Sequence, residues 1–199
     1  MSSFENQALP QTSIPEKTPS DEEIDRLVHQ IDVLERLYNE LEKCGEWSDK
    51  CAEMIKAVKA ESDKFIKAAD GYIKQYCRDA ESEDCSALKK VKPMVESGMK
   101  ILEQYAAVMR IYGEYAKKCG GGGEFDAFEC AAKTRLLRSE TKRLHKAVSM
   151  YIKKHCAEPD EEFAENCLEL KEFKAQLEEL MSVLEYAEGL ARAAYMLGA

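Results

Sequence analysis

Eight cysteines are the residues of this chain with the most chemistry to offer, and they fall in four pairs: Cys44 with Cys51, Cys77 with Cys85, Cys119 with Cys130, and Cys156 with Cys167. Thiols so spaced could ligate a metal, exchange electrons or close disulfides. Zinc sites take paired ligands roughly two to four residues apart. Here six to ten residues separate the members of each pair, with no histidine between them. A thiol redox catalyst calls for Cys-x-x-Cys with a depressed thiol pKa, and the chain contains none. Disulfide formation remains. Eight cysteines admit about a hundred pairings, but one is nominated by placement, with a cysteine at the end of one helix and its mate near the start of the next. Such positions approach to disulfide distance when the two helices pack side by side. The competing arrangement crosses turns at one end of the bundle, for example Cys44 with Cys130, and ties the two halves of the chain together.

The other reactive residues form no constellation. Histidine is the commonest general base, yet His29, His145 and His155 stand apart without a partner pattern. His155 occupies a helix seam position that Tyr76 holds earlier in the chain, so it reads as a packing residue at the bundle end. The run Gly120 to Gly123 would cradle a phosphate if Lys-Ser or Lys-Thr followed. Glu124, Phe125 and Asp126 follow instead, and a flexible junction is the better reading. The pairs Glu161–Glu162 and Glu178–Glu179 read as solvated helix faces. No set of side chains asks for a cofactor or metal, and a non-enzymatic protein is expected. Trp47, the sole tryptophan, is the candidate binding residue. It sits in the tight turn CGEWSDKC, and tryptophan is enriched at binding hot spots; the alternative is that it caps the open end of the core.

The elements that must position these residues are helices. Apolar side chains alternate three and four residues apart from Ile24 to Leu41, from Ile55 to Tyr76, from Leu88 to Tyr112, from Leu137 to His155 and from Leu170 to Ala194. That is the seam of a packed helix. No segment alternates with the period of a half-buried strand. The fold class is therefore all-α: five long antiparallel helices, A to E, closed as a bundle or stacked as a short α-solenoid, with a disulfide stapling each turn. Lengths of about 24 to 34 residues span roughly 36 to 50 Å. Helix A, residues 20–44, opens on a capping box in which Ser20 and Glu23 satisfy each other's amides. Residues 1–19 carry Pro10, Pro15 and Pro19 with few apolar side chains, and read as a disordered arm. Pro93 should kink helix C or mark its true start.

The segments also repeat. Residues 60–77 laid over 139–156 match Glu61 with Glu140, Ala68 with Ala147, and Tyr72-Ile73-Lys74 with Tyr151-Ile152-Lys153. A register of 82 residues, Leu88 over Leu170, also pairs Met99 with Met181 and Arg110 with Arg192. Identity over both stretches is about a third, and the coincident cysteines favour internal duplication. The single domain 20–199 then divides into helix A, unit one at 45–118 and unit two at 119–199.

Composition narrows the function. Of the 199 residues 45% are hydrophobic and 34% charged, so a core can form under a charged surface. A net charge of -9 argues against nucleic acid and anionic membranes, and no apolar run is long enough to span a bilayer. A basic or neutral protein partner fits better. Alanines 106, 107, 187, 191, 193 and 194, facing tyrosines and methionines, could also leave an elongated cavity for a lipid or other hydrophobic small molecule. Paired cysteines imply an oxidising compartment. The expected location is extracellular, with a secretory signal removed from the displayed chain, or the mitochondrial intermembrane space. A reduced intracellular helical subunit is the remaining alternative.

Overall fold

The structure, a computed structural model, describes residues 19–44, 48–77, 82–120, 126–159 and 161–196. It contains five α-helices: α1 (Pro19–Glu42), α2 (Asp49–Tyr76), α3 (Glu83–Cys119), α4 (Ala127–His155) and α5 (Glu161–Met196). There is no strand among the described residues. Helix α1 begins at Pro19, a residue pre-set for the first helical position. Ser20 thus lies inside the first turn. Lengths of 37 and 36 residues for α3 and α5 exceed the expected range. Helix α3 does not begin at Pro93 but runs on both sides of it, and the Ser97 hydroxyl donates to the Pro93 carbonyl at 2.8 Å.

Helices α2, α3 and α4 each have their own start signal. Ser48 and Ser82 accept the amides of Cys51 and Cys85 at 3.3 and 3.2 Å, and Asp126 accepts those of Phe128 and Glu129 at 2.9 and 3.0 Å. These caps satisfy amides that have no partner within their own helix. Two of the capped amides belong to cysteines, so cap and staple fix the same residue. The four disulfides are the local ones, Cys44–Cys51, Cys77–Cys85, Cys119–Cys130 and Cys156–Cys167, with Cα separations of 6.0, 5.6, 5.8 and 5.6 Å. Cys77 and Cys156 are themselves the C-cap residues of α2 and α4.

The helices pack in chain order, α1 on α2, α2 on α3, α3 on α4 and α4 on α5. Along α2 the residue number climbs from Lys59 to Asp70 while the ion-pair partner on α3 falls from Glu103 to Lys92. Arg138 and His145 of α4 likewise meet Glu185 and Glu178 of α5. Apolar side chains gather into two cores. The first joins Leu27 and Leu34 of α1, Val58, Phe65 and Ala69 of α2, and Leu88, Met99 and Leu102 of α3. The second joins Val108 and Ile111 of α3, Leu137, Leu144 and Val148 of α4, and Leu177 and Leu184 of α5. Helix α3 serves both.

That double duty explains where one expected seam fails. Tyr112 was placed on the α3 seam but is exposed, while Val108 and Ile111 are buried. A single stripe cannot describe a helix that buries different faces along its two halves. In contrast, buried positions on α2 recur 79 residues on in α4: Cys51 and Cys130, Val58 and Leu137, Ser62 and Thr141, Phe65 and Leu144, Ala69 and Val148. Ring pairs recur too, Tyr72 with Tyr76 at 4.9 Å and Tyr151 with His155 at 4.8 Å.

Phe65 is fully buried at the centre of the first core. Phe65→Ala should lower unfolding stability by about 3–5 kcal/mol in urea titration. Replacing Cys77 and Cys85 together by alanine should cost about 2.5 kcal/mol through the freed chain entropy of an eight-residue loop. Reduction of intact protein with its free thiols blocked should add about 8 Da, and peptide mapping should recover the four local linkages.

Candidate binding surfaces

An apolar recess lies where both cores meet α3. Ile101, Leu102, Tyr105 and Met109 of α3 form its floor, Tyr38, Leu41 and Ile55 one wall, and Phe173 of α5 the other. The Cys44–Cys51 disulfide closes one end. Its volume is about 450 Å³, and its mouth is open. Tyr105 and Phe173 stand edge to face at 6.3 Å, bringing α3 and α5 together at the rim. The alanines expected to shape an apolar cavity do not line it. Bulky side chains do, because the gap arises between two cores rather than opposite small residues.

A second site is polar. Glu188 is 5% exposed and is approached by three guanidiniums, with Arg135 at 3.1 Å, Arg138 at 3.2 Å and Arg192 one turn along α5. Arg138 also reaches Glu185 at 2.9 Å. Partial desolvation pushes the Glu188 carboxyl upward. Hydrogen bonds from Arg135 and Arg138 and the adjacent Arg192 outweigh it, holding the group below the usual carboxylate range. Glu188 is not among the candidate residues of the sequence. Its signal was position: it sits between Ala187 and Ala191 on the buried side of α5, with Arg192 four residues on. Beside it, Phe128, Ala131, Ala132, Tyr195 and Met196 form a small apolar slot of about 200 Å³.

The histidines do not come together. His29 lies exposed on α1. His145 meets Glu178 at 2.9 Å across the α4–α5 contact. His155 meets Ser97 at 3.2 Å across the α3–α4 contact, where burial and nearby Lys154 hold its pKa below the ordinary value. Glu178 is spoken for by His145 and Lys174, and Glu179 is exposed. Trp47, Gly121 to Gly123 and the side chains of Glu161 and Glu162 lie outside the described residues.

Large apolar side chains also stand in solvent. Of eleven such residues among those described, six, Leu168, Val183, Tyr186, Leu190, Tyr195 and Met196, belong to α5, and the other five are spread over α1, α3 and α4. The sequence reading found only the buried stripe of this helix. The rest fell at spacings that stripe does not use. No helix is long and apolar enough to cross a membrane, among the described residues. In comparisons with protein-family models, curated proteins and solved structures, nothing matches this chain.

The Glu188 cluster predicts an acid dependence. Its carboxyl has a lower pKa folded than unfolded, so its stabilisation is complete above the ordinary value of 4.5 and fades as pH falls through the folded value. Glu188→Gln should therefore be less stable than wild type at pH 7, with the gap in melting temperature closing as the pH is lowered below 4.5. A gap that stays constant over that range would show that the carboxylate charge contributes nothing.

Proposed function

We propose that this chain is a non-enzymatic, disulfide-stapled helical scaffold that binds another protein outside the cytosol. The observation that carries the reading is the exposed apolar surface of α5, since soluble monomers rarely leave large apolar side chains clustered on one element without a partner. Four disulfides fit an oxidising compartment, and we place the protein in the secreted or surface-exposed class. The recurrent burial pattern and ring pairs of α2 and α4 support a duplicated antiparallel hairpin, stacked as a short open solenoid. Such an array leaves its last helix with one face uncovered.

A second reading has its own observation. The apolar recess of about 450 Å³ across α3 is within the size of small-ligand sites, and it would suit a lipid or other hydrophobic ligand.

Affinity capture from extracellular fractions should separate the two. Oxidised protein is expected to enrich a discrete partner that reduced, alkylated protein does not, and the pair should co-elute as a stoichiometric complex. If nothing co-elutes, while delipidated protein binds a polarity-sensitive dye saturably and fatty acid displaces it, the carrier reading replaces the scaffold.

A further inference from the structure

Helix α5 repeats α3 at a register of 82 residues, and the two helices differ most in what covers them. In α3 the face carrying Ser97, Ile101, Gln104, Val108 and Ile111 turns toward α4 and the second core. Val108 and Ile111 are 6% and 5% exposed. The equivalent residues of α5 are Glu179, Val183, Tyr186, Leu190 and Ala193. All five are exposed, Val183 at 57%, Tyr186 at 70% and Leu190 at 54%. The same face is thus buried where a further helix follows and bare where the row of helices ends. The bare stripe continues toward the N-terminus through Ala175 and Leu168, which extends it over more than three turns at the three-and-four spacing of a helix–helix seam.

Charge identifies the occupant. The helix that covers α3 is α4, which holds eight lysines and arginines against two glutamates, a formal charge of +6. Helix α5 is the reverse, nine glutamates against three basic residues, or -6. Glu172 and Glu179 lie within the bare stripe and are exposed, with no ion pair among the described residues. They take the places of Lys90 and Ser97 in α3.

We infer that the outer face of α5 is a docking surface for a basic amphipathic helix of another protein. Its apolar stripe packs on Val183, Tyr186 and Leu190, and its flanking lysines or arginines meet Glu172 and Glu179. This inference rests on the scaffold reading and specifies where and what that scaffold binds. The mode is an amphipathic helix laid along an apolar stripe, read as anchors one and two turns apart.

The test uses the intact oxidised protein and a fluorescein-labelled 28-residue helical peptide, with leucine at the seam positions and lysine flanking them. A second peptide replaces the lysines by glutamate. Fluorescence anisotropy should show saturable binding of the lysine peptide, weakened by salt, and none of the glutamate peptide. Leu190→Glu should weaken binding by about tenfold or more, and Glu172→Lys with Glu179→Lys should do so while removing the salt dependence. Val28→Glu, at an exposed position on α1, should change nothing. All these positions are exposed, so circular dichroism and melting temperature should match wild type. Equal binding of both peptides, or insensitivity to Leu190→Glu, overturns the inference. So does a concentration-dependent dimer that Leu190→Glu abolishes, which would make a second copy the occupant. If a captured natural partner stays bound to both α5 variants, this face is refuted while the scaffold reading stands.

Discussion

The constraint on which the structure depends is that α3 must be buried twice. A helix buried on one face leaves the other for water, and its residues can alternate accordingly. Helix α3 gives Leu88, Met99 and Leu102 to one core and Val108 and Ile111 to the other. The apolar surface therefore rotates around the helix as it proceeds. This rotation joins two three-helix cores into one body, sets the length of α3, and opens the apolar recess in the angle where the cores diverge. A shorter α3 would leave two cores with no shared wall.

Charge is partitioned as sharply as apolar surface. A chain of net charge -9 concentrates its positive charge on α4, which lies between α3 and the acidic α5. Ion pairs at a protein surface contribute little individually. The Arg135, Arg138 and Arg192 cluster differs because its carboxylate is buried, and an uncompensated charge there would be costly. The effect of this partition is register: α4 has an electrostatic as well as an apolar reason to lie where it does.

Much of this was legible in the sequence because most helices bury one face. The seams of α1, α2, α4 and α5 are the ones that the cores use, and pairing cysteines by their places at helix ends sufficed to select among the possible disulfides. The failures come from residues whose role depends on a third helix. Tyr112 looked buried because α3 was read with one stripe. Glu188 carries no mark in the sequence because its arginines come largely from another helix. Of the two outcomes expected at Pro93, a kink or a helix start, the start does not occur, because packing on both sides carries the helix through one lost hydrogen bond. The apolar recess was expected opposite alanines, since a sequence shows small residues but not the angle between two cores.

The placement of the disulfides bears on how the chain matures. Each bridge joins cysteines only 7, 8, 11 and 11 residues apart. A thiol searching for a partner meets its nearest neighbour in sequence first, because short loops close fastest and at least entropic cost. In this protein that neighbour is the native partner every time. In an oxidising environment each turn can be sealed as soon as its own two cysteines are present, so proximity in sequence itself proofreads the connectivity and little is left for an isomerase to reshuffle.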